Sequence, residues 1–102
     1  MMSACGSSAA ERRIMFRLWG KCVKHNRLLR DVTVCDGDYS KNRTRMVLEA
    51  VTEICRQFDL AEPIWLESNI DEFRRLDHTR FRQDNFIEQL DFDYLEIRVL
   101  EE

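Results

Sequence analysis

Between Asp38 and Leu60, apolar side chains at Val47, Val51, Ile54 and Phe58, with Leu48 and Cys55 beside them, recur every three or four residues. Glu49, Thr52, Glu53 and Arg56 fall on the other side. That period predicts one long amphipathic helix with its stripe toward a core. Asp38 or Ser40 is the expected N-cap, its side-chain oxygen accepting an otherwise unpaired backbone N–H. Upstream, Ile14, Phe16, Leu18, Gly20 and Cys22 alternate with Arg13, Met15, Arg17, Trp19, Lys21 and Val23, a period of two that predicts a strand. Lys24, His25, Asn26 and Arg27 break it, Asn26 being suited to the positive φ of a tight hairpin turn. A second strand runs from Leu28 to Cys35. A turn about His25 and Asn26 sets Cys22 opposite Leu29 and Cys35 opposite Phe16, which keeps Cys22 and Cys35 from bonding to each other.

Beyond Leu60, Pro63 stops any helical continuation and Ile64, Trp65 and Leu66 form an apolar plug. Asn69 followed by Glu72 reads as the cap of a short second helix, held to the core by Ile70, Phe73 and Leu76 and closed by Asp77, His78 and Thr79. From Arg80 to Leu90 the pattern is mixed. Phe81, Phe86 and Ile87 are expected to pack, Arg80, Arg82, Asp84 and Glu88 to stay in water, and a turn or two of helix fits Asp84 to Glu88. Asp93, Leu95, Ile97 and Val99 alternate with Tyr94, Glu96 and Arg98, predicting a last strand with one buried face. The fold class is therefore α+β: a three-stranded antiparallel or mixed sheet, made of the N-terminal hairpin and the C-terminal strand, against one long and one short helix. The first strand lies between the other two, and one sheet face, bearing Met15, Trp19 and Tyr94, is left uncovered.

Composition narrows the setting. A chain of 102 residues, 44% hydrophobic and 34% charged, holds one small domain, assigned to residues 12–102, and the Ser- and Ala-rich residues 1–11 are expected to be a disordered tail. No run of about 18 apolar residues spans a membrane, and the opening residues lack the basic and apolar regions of a signal peptide. Cys5, Cys22, Cys35 and Cys55 form no C-x-x-C pair and have no histidine at ligand spacing, so they read as reduced thiols of a cytoplasmic protein rather than as a zinc site. The net charge of −3 hides a division. Between Glu11 and Arg45 ten Lys and Arg stand against four Asp and Glu, a net of +6, whereas from Met46 onward six stand against fifteen, a net of −9. Either the halves neutralise each other through the fold, or the basic half meets an acidic partner.

The candidate binding residues follow from that division. Lys41, Arg43 and Arg45 sit at the positive end of the long helix, where a carboxylate would be favoured by about 0.3–1 kcal/mol, so an anion is expected nearby, with Asp36 and Asp38 the nearest. Arg17, Trp19 and Lys21 share a strand face on which a base could stack between phosphate contacts. His25 and His78 stand in polar breaks without partner ligands, and Asp84, Glu88, Asp91 and Asp93 match no calcium loop. With only three glycines no phosphate-wrapping loop exists. No cofactor, metal or catalytic set is expected, and the chain is not read as an enzyme.

The tract PIWLESNIDEFRRLDHTRFRQDNFIEQLDFDYLEIRV, with the opening MFRLWGK, resembles a group of short uncharacterised bacterial proteins sharing the pattern P-I-W-L…N…F…R-F…D-N-F-I-E…D-F-D-Y-L-E-I. The resemblance spans about Met15 to Glu102 and implies no activity. The expected function is a small cytoplasmic, non-catalytic protein-interaction module that binds a protein partner or self-associates as a homodimer. The alternative is binding of single-stranded nucleic acid or another anion through the basic hairpin and helix start, and no membrane partner is expected.

Overall fold

The structure is a computed structural model and describes residues 2–4, as backbone, and residues 15–101. The expected α+β class is what forms, with more strands than the sequence pattern predicts. Among the described residues β1 (Met2–Ala4), β2 (Phe16–Lys24), β3 (Arg27–Asp36), β4 (His78–Phe81) and β5 (Tyr94–Glu101) make one sheet in the order β1-β3-β2-β5-β4, antiparallel throughout. The first long strand does lie between its hairpin partner and the C-terminal strand. The three-strand expectation is corrected by β4, whose four residues HTRF are too short for a periodic signal, and by β1 at the other edge. Of the predicted tail, Met2–Ala4 pair with β3, and residues 5–14 lie outside the described residues.

The hairpin turns where expected. His25 and Asn26 take φ of 52° and 63°, the left-handed pair that matches the twist of two antiparallel strands. Near the turn Lys24 faces Arg27 and Val23 faces Leu28, but a bulge then shifts the register, so that Cys22 faces Arg30 and Cys35 faces Arg17. The register read from the sequence was one residue off. The bulge inserts one extra residue into β3, which periodicity cannot reveal.

The long helix, α1 (Arg43–Gln57), starts later than its apolar pattern suggested. Its N-cap is Asn42, whose side chain accepts the Arg45 N–H at 2.8 Å; Asp38 instead closes a turn by accepting from Ser40. The apolar stripe lies on β2 and β3, with Val47, Val51, Ile54 and Cys55 buried and Ala50 completing it. Gly20 permits the close approach: a Cβ there would stand 2.6 Å from Ile54 Cγ2. The short helix, α2 (Glu67–Leu76), begins before Asn69 and packs on β4. Asn69 is therefore in its first turn and buried, accepting the Leu66 N–H, and Asp77 ends the helix with a left-handed φ of 59°.

Phe16, Leu18 and Cys22 of β2, Val34 of β3, Phe81 of β4, and Leu95 and Ile97 of β5 meet the two helices in one core. Ile87, expected inside, is 92% exposed, and Ile70 and Leu76 are also exposed. A buried polar link joins the later segments. Asn85 donates to Asn69 Oδ1 and to the Ile64 carbonyl, each at 2.7 Å, while Asn69 donates to Thr79 Oγ1 at 2.9 Å. The reading of all cysteines as reduced thiols fails at Cys35, which is disulfide-bonded, whereas Cys22 and Cys55 are free and buried. A cysteine that fits the alternation of a strand carries no signal of pairing by itself, since connectivity cannot be deduced from spacing alone.

Candidate functional site

The six predicted binding residues divide between two places. Side chains alternate across a strand, so Phe16, Leu18 and Cys22 turn to the core while Arg17, Trp19 and Lys21 share the uncovered face of β2. On that face Trp19 Nε1 donates to Asp31 at 2.9 Å, and the Lys21 ammonium lies 4.5 Å above the Trp19 ring. Arg17 pairs with Glu101 at 3.2 Å. Glu96 of β5 is 2% exposed even though it lies on this face, because Lys21, Arg80 and Arg98 close over it at 3.4, 2.9 and 3.6 Å. Tyr94 is covered by Arg80 and Arg82, their guanidinium carbons 4.4 and 5.9 Å from the ring centre. The aromatic faces that could stack a base are thus occupied by cations of the same chain.

Burial would raise the Glu96 carboxyl, but the Arg80 hydrogen bond and the Lys21 charge outweigh it and hold it below its ordinary value of 4.5. A carboxyl depressed by folding stabilises the protein above its unfolded pKa, and that contribution is lost as pH falls through the folded value. Glu96→Gln is therefore expected to cost on the order of 1 kcal/mol at neutral pH, modest because Arg80 and Arg98 are half solvated. It should also flatten the loss of thermal stability below about pH 4.5, the difference appearing in melting temperatures measured across that range.

Lys41, Arg43 and Arg45 gather at the start of α1, on the opposite side of the sheet. Lys41 binds buried Asp36 at 2.8 Å and Glu49 at 2.7 Å, and these hydrogen bonds raise its pKa. Arg45 binds Glu49 at 2.8 Å, and Arg43 binds Asp77 of the acidic half at 2.8 Å. The anion that the dipole called for is internal.

An open apolar surface lies between the helices. α1 rests on β2 and β3, and α2 on β4, which leaves a groove of about 350 Å³ lined by Val47, Leu48, Trp65, Ile70 and Phe73, with Arg43 and Arg74 among its polar lining. Trp65 builds the floor, edge-on to Phe73 at 5.7 Å and to Phe81 at 4.9 Å. A second hollow of about 250 Å³ adjoins it, sharing Leu48 and Trp65 and reaching Thr52, Glu62 and Pro63. Leu48 and Ile70 remain 46% and 37% exposed. Sequence reasoning found Arg43 alone of this site. Leu48 beside the stripe was the available signal, since a residue off the buried arc of a helix that is still apolar marks a second contact.

Among the described residues Cys22 and His78 do not meet as a catalytic pair. Cys22 faces the core, whereas His78 alternates with buried Thr79 and Phe81 and so faces the other side. Burial pushes the Cys55 thiol up to about 12 and raises that of Cys22, so neither supplies a thiolate at neutral pH. Among the late carboxylates, Glu88 accepts the Ala61 N–H and Asp93 the His25 N–H. Among the described residues no three metal-ligating side chains converge, and no helix is long and apolar enough to cross a membrane. Comparison with protein-family models, with curated proteins and with solved structures finds no match. Fold and site together define a small α+β domain with an apolar groove between its helices.

Proposed function

We propose that this chain is a non-catalytic protein-interaction module that receives its partner in the groove between α1 and α2. The observation that carries the reading is the half-exposed pair Leu48 and Ile70 above a floor of Trp65 and Phe73: an apolar concavity with cations beside it suits an amphipathic segment of another protein. The sheet face supports the nucleic-acid alternative less well, because Lys21, Arg17 and the rings of Trp19 and Tyr94 already have partners within the chain.

Affinity capture from a native extract, scored separately for protein and for nucleic acid, tests the module. Protein capture should survive Trp19→Ala and fall at least tenfold with Leu48→Asp. Capture of nucleic acid that weakens with salt and is lost on replacing Arg43 and Arg45 by Ala would favour the alternative instead.

A cytoplasmic location belongs to the same proposal and is supported by the free thiols Cys22 and Cys55; the disulfide at Cys35 argues for an oxidising compartment. Alkylation during cell lysis decides between them, since a labelled Cys35 fits the cytosol and a protected one does not.

A further inference from the structure

Among the described residues Ile87 is the most exposed of the large apolar side chains, at 92%. It projects from the segment between the short 3-10 turn Gln83–Asn85 and β5, held from behind by buried Phe86 and Asn85. An aliphatic side chain this exposed gains by burial against another surface. Its neighbours are acidic. Asp84 is exposed and makes no hydrogen bond or ion pair among the described residues, and Glu88 stands on the other side of Ile87.

The groove between α1 and α2 has the opposite character. Its lining is apolar, its charged residues are Arg43 and Arg74, and Arg74 pairs with no carboxylate among the described residues. One molecule thus carries both an aliphatic knob between carboxylates and an apolar groove beside guanidinium groups. The knob segment is tied to the stretch just before Trp65, for Glu88 accepts the Ala61 N–H and Asn85 donates to the Ile64 carbonyl.

We propose that the occupant of the groove is a second copy of this chain: Ile87 of one protomer enters the α1–α2 groove of its partner, and Asp84 or Glu88 meets Arg74. The proposal rests on the groove being the interaction site. Because each copy carries both a knob and a groove, two copies can exchange knobs about a two-fold axis, which closes the assembly at a dimer. A contact built on one anchor per copy buries less than the ~1,600 Å² of a standard interface, so the association is weak and transient.

Sedimentation velocity over a rising concentration series tests it, with Ile87→Asp and Arg74→Glu as variants; both positions are exposed, so the fold should tolerate either. The wild type should sediment faster as concentration rises. Each variant alone should lose that rise, and an equimolar mixture should regain it in part, since one variant keeps the groove and the other the knob. A wild type that stays monomeric at the highest concentration, self-association that survives Ile87→Asp, or a mixture that regains nothing would each overturn the proposal. A monomeric wild type that still captures another protein, and loses it with Leu48→Asp, would leave the module reading standing without this occupant.

Discussion

Gly20→Ala is expected to destabilise the domain by about 1–3 kcal/mol, the range for one methyl forced into a packed core. The new Cβ would stand 2.6 Å from Ile54 Cγ2 and 2.8 Å from Ile54 Cδ1. Ile54 is fully buried and β-branched, so its side chain has no free rotamer to escape into. Relief would require lifting α1 from β2. Ile54→Ala removes the clash at its source but leaves a cavity, at a cost of about 2–5 kcal/mol by itself. In the double variant the alanine methyl at position 20 occupies part of that cavity. The two effects should therefore fall short of their sum by about 0.5–3 kcal/mol, as measured by chemical denaturation of all four proteins. Additive effects would mean that the helix does not press on Gly20.

The second large effect is expected at Asn85. Its side chain donates to the Ile64 carbonyl and to Asn69 Oδ1 and accepts the Arg82 N–H at 3.0 Å, while only 3% of the residue is exposed. Asn85→Ala leaves those groups buried without partners, at about 1–3 kcal/mol for each one that water cannot reach. Asn85→Asp keeps the acceptor for Arg82 but sets a carboxylate against two oxygens, so it should be no milder. Amide hydrogen exchange should show where the damage starts. The Ile64 N–H, bonded to the Asn85 carbonyl at 2.6 Å, and the first turn of α2 should lose protection before the hairpin does. Uniform loss across β2 and β3 would contradict a role local to this junction.

These two sites also show what could be read in advance. The α+β class, the hairpin turn at His25 and Asn26, the long helix and the C-terminal strand were legible because each rests on a local period or a turn residue. The central position of β2 was legible too, since apolar residues stand on both of its faces toward its middle. The bulge was not legible because an extra residue in one strand leaves the period of each strand intact, and β4 was not because four residues carry no period and its partner β5 lies far along the chain. Asn69 looked like a cap and proved to be an interior residue of the first turn, its polar side chain satisfied by Thr79 and Asn85 rather than by solvent. Ile87 looked like core for a similar reason: hydrophobicity without a period does not say which way a side chain points.

The candidate site followed the same logic. Charge counting located Arg17, Trp19, Lys21, Lys41, Arg43 and Arg45, yet it could not tell a cation awaiting a ligand from one already paired. Lys41 with Asp36 and Glu49, and Lys21 with Glu96, are pairs formed by the fold. The groove arises from two helices resting on different strands of one sheet, a feature of tertiary arrangement that no single element encodes.

The most direct test of the groove as the working surface is site-specific photo-crosslinking in the native cell, with benzoylphenylalanine placed at Leu48 in one variant and at Thr33, on the uncovered sheet face, in another. Discrete protein adducts at position 48 and none at position 33 are the predicted result. Adducts at position 33 with none at position 48 would contradict the account.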